Sequence, residues 1–171
     1  LSKDKNLIED VQSGDVYLAC AKRVRAVPED ATKGTHGTER GIYKRGVLAT
    51  QYQMGAESLA HQLKISLKHG RNVHIKIKKA YPKYFNWSNR IVQKLQGRGR
   101  VQTLYGWTRH NAVGHYQNLR SLGNWPIQSN GAEMLRAATM EVIHAGLEVH
   151  GVIHDALLVL IPLKDHEHWI K

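Results

Sequence analysis

"HGVIHDALLVLIP" (residues 150–162) is an apolar run broken once, by His154-Asp155. How that pair is read decides the fold. A carboxylate buried in such a run is costly unless it is paired, hydrogen-bonded or bound to a metal. Two readings are open. In one, Val149–Ile153 and Leu157–Ile161 are the strands of a hairpin and His154-Asp155 is its exposed tip. In the other, Asp155 is a functional carboxylate. Two-residue hairpins favour Asn-Gly or Asp-Gly, because positive φ is needed there, and His-Asp followed by Ala156 is a poor match. Taken alone, the stretch leaves the two level.

Working back from it, Asn124 and Pro126 introduce a long helix from Ile127 to about Ala145, closed by Gly146. Its apolar face is Ile127, Met134, Leu135, Ala138, Val142 and Ile143. "VQTLYGWTRH" (residues 101–110) reads as another hairpin, turning at Tyr105-Gly106 and returning through Trp107. Helical periodicity rules the first half. A short helix carries Leu7, Ile8 and Val11 and ends at Ser13-Gly14; Asp15 caps the next, which stops before Pro28. Helices follow at about 38–54 and 57–63, then two basic ones at about 66–80 and 82–96, broken by Gly97 and Gly99. Another helix is expected from Lys164 onward. The class is α+β: helices, then a small antiparallel sheet with a long helix against it.

The 171 residues fit one domain with a real core, and no run of eighteen apolar residues is present to span a membrane. One cysteine, Cys20, excludes an intramolecular disulfide and reads as a small core residue; a cytoplasmic setting is expected. The beginning of the chain lacks an initiator Met and a signal segment and reads as the interior of a longer product. A net charge of +11 points to a polyanionic partner. The 75 residues from Ser58 to Ala132 hold 13 Lys or Arg and no carboxylate. They also carry Tyr81, Tyr84, Phe85, Trp87, Tyr105, Trp107 and Tyr116. Cations neutralise phosphates and aromatics stack on bases, so the span reads as nucleic-acid-binding; a solvated basic face with core aromatics is the plainer reading.

Two sets of residues four apart stand out. Arg40, Lys44, Leu48 and Tyr52 make a face graded from cations to an apolar residue and a phenol, able to hold a triphosphate at one end and a base at the other. The plainer reading is an amphipathic helix with solvated first turns and core last turns. Arg120, Asn124 and Gln128 offer a cation and two amides suited to a phosphate and base edges, although Asn124 can equally be a helix cap.

Together these segments resemble the polymerase domain of family A DNA polymerases, the bacterial DNA polymerase I type. "RGIYKRGVLATQYQMG" is similar to the fingers helix pattern Arg-x3-Lys-x3-Phe-x3-Tyr-Gly. "NWPIQSNGAEMLRAA" resembles the palm segment Asn-x-Pro-x-Gln, and "VIHDALLVLIP" the Val-His-Asp-Glu hairpin. "LSKDKNLIEDVQSGDVYLACA" looks like the stretch just after the first catalytic motif. The resemblance implies helical fingers at 1–97 and, at 98–171, part of an antiparallel-sheet palm with its long packing helix. It implies nucleotidyl transfer from a dNTP to a primer 3′-hydroxyl by a two-metal mechanism with Mg²⁺, in a bacterial or phage-infected cell. Asp155 would ligate metal and His154 hold the primer terminus. Arg40 and Lys44 would grip the triphosphate, Leu48 and Tyr52 would lie at its sugar and base end, and Arg120, Asn124 and Gln128 would contact primer-template DNA. The chain would be a monomeric fragment, inactive without the rest of its polymerase.

Four positions depart from the family pattern. Leu48 replaces an aromatic, Gln53 a Gly, Tyr17 a His, and Ala156 the acidic neighbour of Asp155. The wording around residues 51–55 and 126–135 looks closer to phage or prophage members. Alternatives are a single-subunit, phage-type RNA polymerase and a non-catalytic basic nucleic-acid-binding module.

Overall fold

The computed structural model describes residues 1–97, 99–110 and 118–165. The elements run α1 (Lys5–Gln12), α2 (Val16–Arg23), α3 (Gly37–Gln51), α4 (Ala56–Leu63), α5 (Leu67–Ala80), α6 (Pro82–Gln96), β1 (Arg100–Gln102), β2 (Thr108–His110), α7 (Leu119–His144), β3 (Glu148–Ile153) and β4 (Ala156–Leu160). The class is α+β, dominated by helices, with two two-stranded sheets, β1–β2 and β3–β4. Two compact units are distinguished, Leu1–Val101 with Arg109–Trp125, and Gln102–Thr108 with Pro126–Lys171.

In the first unit, short side chains start the helices by accepting orphan N–H groups. Asp4 takes the N–H of Leu7, Asp15 that of Leu18 and Ser66 that of His69, each at 3.2 Å. Pro82 opens α6, where its missing N–H costs nothing. Gly14 closes the first helical segment at φ +83°, a conformation that suits glycine. The core gathers Leu59, Leu63, Val73, Ile77, Val47 and Cys20. Two glycines let the helices close on one another. A methyl group at Gly70 would lie 2.5 Å from the Cβ of Ala60, and one at Gly46 would lie 2.9 Å from Ile77. A smaller cluster of Leu95, Val101 and Leu122 packs with Ile91, Val92 and Trp125.

Polar groups are also built into this core. Asp10 is 4% exposed and takes the guanidinium of Arg23 on both oxygens, with the hydroxyl of Tyr81 donating at 2.8 Å. Burial pushes the Cys20 thiol up to about 11, Tyr81 and Asp10 adding smaller opposing effects. Tyr81, Tyr84 and Phe85 are likewise core residues, so the stacking role expected of the aromatic span does not extend to them. Tyr105 and Trp107 are exposed, while Tyr116 lies outside the described residues.

The long helix begins at Leu119 rather than Ile127. Asn118 caps it, its side-chain oxygen accepting from the N–H groups of Arg120 and Ser121. Asn124 therefore lies within the helix, not at its start. Pro126 sits inside as well, where it removes one backbone hydrogen bond. Its carbonyl accepts the buried Asn130 amide at 2.6 Å. In the second unit the same Asn130 accepts the N–H of Leu104, fixing the turn that leads to Trp107, and Arg136 lies over the Trp107 ring at 5.1 Å.

Strands β3 and β4 are antiparallel, with Ile153 opposite Ala156 and a bulge between Val149 and Gly151. Alternate residues are half-buried, but Val152, Ile153, Leu158 and Leu160 are more than half exposed. The apolar run is therefore not buried strand on both faces among the described residues. The helix expected from Lys164 lies largely outside them; a 3₁₀ turn at Leu163–Asp165 is what the structure describes.

Candidate functional site

Helix α3 turns Tyr43, Gly46, Val47 and Thr50 into the core. Residues four apart starting at Arg40 are thereby turned outward. Lys44 is exposed, Arg40 partly so, Leu48 is 38% and Tyr52 44% exposed. The last turn of this face is not core, contrary to what an ordinary amphipathic helix would give. Tyr52 is the residue that closes the helix, which ends at Gln51 rather than at Met54.

Two residues from α2 and its cap organise the cationic end. The Arg40 Nε donates to Asp15 Oδ2 at 2.5 Å, while Asp15 Oδ1 caps α2. The Tyr17 ring lies beneath both cations, 5.6 Å from the Arg40 guanidinium carbon and 6.0 Å from Lys44 Nζ. Burial works against ionisation of Asp15, but the Arg40 hydrogen bond, the backbone N–H groups and the Arg40 charge outweigh it and hold its carboxyl below the usual range. Because Asp15 takes Nε, the two terminal amino groups of Arg40 keep no hydrogen-bond partner among the described residues. A planar fork and an ammonium are then presented side by side, the donor set that binds phosphate oxygens. Sequence reading gave Asp15 only a capping role and Tyr17 only a departure from pattern. The pairing spans 25 residues, and no local spacing signals it.

Beyond Tyr52, Gln53 takes φ +61°, the conformation for which glycine is suited and at which the resemblance expects Gly. Its amide donates to the buried Ser88 hydroxyl at 2.8 Å, which holds the side chain in place.

On α7, Arg120 is exposed and Asn124 half-buried within the first unit, with the Asn124 side-chain oxygen buried and unpartnered in the structure. Gln128 is exposed on the part of α7 assigned to the second unit. The expected trio thus shares one helix.

His154-Asp155 is the two-residue tip of the β3–β4 hairpin, as the turn reading has it, and both residues are exposed. His154 takes φ +57° where a tight hairpin commonly uses Gly. The turn places a carboxylate and an imidazole next to each other in the chain, both open to solvent. Divalent magnesium needs several oxygen donors. Among the described residues no group of three or more His, Cys, Asp or Glu could hold a metal ion, and Asp155 supplies one carboxylate. These residues do not form a metal site by themselves. No helix among the described residues is long and apolar enough to cross a membrane.

A helix with a cationic, outward face, a Pro-interrupted long helix and a His-Asp hairpin follow one another along the chain, and the chain belongs to DNA polymerase family A, whose family model matches residues 1–171. It is similar to the thermostable DNA polymerase I of Thermus aquaticus, 25% identical over 95% of the chain and 21% of that protein. DNA polymerase theta of Drosophila melanogaster is 26% identical over 83% of the chain and 7% of that protein. The chain spans about a fifth of the length of the Thermus relatives it matches. The fold is also that of the polymerase domain of Pol1 from M. smegmatis, solved with DNA primer-template and dNTP. There the TM-score is 0.79, the identity 24%, and the coverage 98% of this chain and 32% of that one.

Proposed function

We propose that this chain is the nucleotide-binding part of a template-directed DNA polymerase and that α3 receives the incoming dNTP. The observation that carries this is the Arg40–Lys44–Leu48–Tyr52 face, turned outward from the core and anchored at its cationic end by Asp15 and Tyr17. Arg40 and Lys44 hold the triphosphate and stabilise charge as the primer 3′-hydroxyl attacks the α-phosphate and pyrophosphate leaves. Leu48 and Tyr52 meet the sugar and the base. Sequence is read by base pairing, so the protein contributes shape and backbone contacts, to which Arg120, Asn124, Gln128 and His154 are suited.

Bound Mg²⁺ would activate the 3′-hydroxyl and neutralise the phosphates. Asp155 is the residue of this chain to hold it, and the remaining oxygens would come from the nucleotide, water and further carboxylates. With Asp155 alone, the chain by itself binds DNA weakly and adds no nucleotides. It acts as a monomer in the cytoplasm, on primer-template DNA and dNTP, within a longer polymerase. Ala156, standing where the family pattern has an acidic neighbour of Asp155, favours one rival, a non-catalytic DNA-binding module.

The test is primer extension with Mg²⁺ and dNTPs, comparing the chain with one extended through its genomic flanks, each also as Asp155→Asn and Lys44→Ala. Extension by the longer protein alone, abolished by Asp155→Asn and strongly reduced by Lys44→Ala, supports the proposal. DNA binding without any nucleotide addition by the longer protein supports the rival. Incorporation of rNTPs in preference to dNTPs would point to an RNA polymerase.

A further inference from the structure

The first unit carries a second convergence of cations, away from the exposed face of α3. A cleft of about 270 Å³ opens between the C-terminal end of α2 and the last turns of α5, with Asn6, Arg23, Arg25, Lys76 and Lys79 in its lining. The cations come from segments some fifty residues apart in sequence, so the grouping is made by the fold rather than by a charge run. Arg23 is already matched, to Asp10 and Glu9. Arg25, Lys76 and Lys79 have no ion-pair partner among the described residues.

The walls of the cleft are fixed. Asn6 donates to the carbonyl of Ala80 at 2.8 Å, tying α1 to the end of α5. The next residue, Tyr81, is wholly buried and bonded to Asp10. Arg25 is held at φ +55° just beyond α2, its N–H bonded to the Lys22 carbonyl at 2.8 Å. That conformation is unfavourable for a residue other than glycine, and here the turn carries a cation to the rim. Three unmatched cations gathered in one cleft repel each other unless an anion joins them. Four of the seven residues that line the cleft are Arg or Lys.

We propose that this cleft binds the backbone phosphates of a nucleic-acid strand, as an anchoring point separate from the nucleotide-binding face of α3. Asp15, Tyr17, Arg40 and Lys44 gather at the N-terminal end of α2, and the cleft lies at the other end. At 1.5 Å per residue the eight residues of α2 extend about 12 Å. That is roughly three to four nucleotides of a stacked strand at 3.4 Å each. The cleft deepens the reading of this chain as DNA-binding, and it does not require that the chain add nucleotides.

The test is fluorescence anisotropy of a labelled single-stranded oligonucleotide with the 171-residue chain across a salt series. The cleft variant carries Arg25→Gln, Lys76→Gln and Lys79→Gln together. A control carries Lys3→Gln, Lys33→Gln and Lys164→Gln, removing equal charge elsewhere. Circular dichroism melts verify folding, and a Lys76→Arg, Lys79→Arg variant keeps the charges. The cleft variant is expected to bind at least tenfold more weakly at low salt, with the slope of log K against log salt shallower by about 2. The control and the arginine variant keep the original slope. Equal losses in the cleft and control variants, or an unchanged slope in the cleft variant, overturn the proposal. So does a cleft variant that loses affinity for inorganic phosphate or pyrophosphate while binding the strand as before, because the cleft then serves a free anion. Loss of primer extension in the longer protein with this slope effect intact would separate failure of the polymerase reading from failure of the cleft.

Discussion

Arg40 and Asp15 meet at 2.5 Å, Nε to Oδ2, while the other oxygen of Asp15 accepts the N–H of Leu18. One carboxylate thus starts α2 and aims an arginine of α3. Asp15→Asn keeps a good cap and loses only a partly exposed ion pair, so it should cost under about 1 kcal/mol. Asp15→Ala loses the cap as well and should cost about 1–2 kcal/mol. Urea unfolding of the two variants separates the contributions. The carboxyl is held below its ordinary 3.8, so its stabilisation is complete above that pH and disappears as pH falls through the folded value.

Asp10 rests on two partners of unequal weight. Removing the cation in Arg23→Met leaves a buried carboxylate without its charge partner and should cost about 3 kcal/mol. Tyr81→Phe removes one hydrogen bond and should cost about 1–2 kcal/mol. Equal losses in chemical denaturation would contradict the assignment of Arg23 as the principal partner.

His74 sets an acid limit on stability. Burial, and then the charge of Lys78, lower its pKa from the ordinary 6.5, and its Nε2 lies 3.2 Å from the Met54 carbonyl. The unfolded chain therefore takes up the proton first. Stability should be full above pH 6.5 and decline as pH falls toward the folded value, and His74→Gln should flatten that decline. Melting temperatures from pH 8 to 5 provide the measurement.

At the hairpin tip, His154 holds φ +57° without being glycine. His154→Gly should stabilise the local turn, by roughly 1 kcal/mol, while weakening primer-terminus binding in the longer polymerase. Higher stability with unchanged primer affinity would leave His154 as a turn residue only.

Much of the helical unit was legible in the sequence, because Asp4, Asp15, Ser66 and Pro82 act locally and the apolar period between them is strong. The start of α7 was not. Asn124-Trp125-Pro126 carries the signature of a helix beginning, yet the cap at Asn118 places the proline inside. The His-Asp turn is only half legible, since a histidine adopts the positive φ usually left to glycine. Arg40, Lys44, Leu48 and Tyr52 were legible as a face, because four-residue spacing is a local property. Asp15 and Tyr17 beneath them were not, because only tertiary packing brings them there.

The most direct test of the α3 assignment is dNTP binding to this chain by titration calorimetry with Mg²⁺ in the buffer, comparing it with Arg40→Ala, Lys44→Ala and Lys33→Ala. At least a tenfold loss, about 1.4 kcal/mol, is expected for each of the first two and no change for the third. Nucleotide affinity that is the same in all four proteins would contradict it.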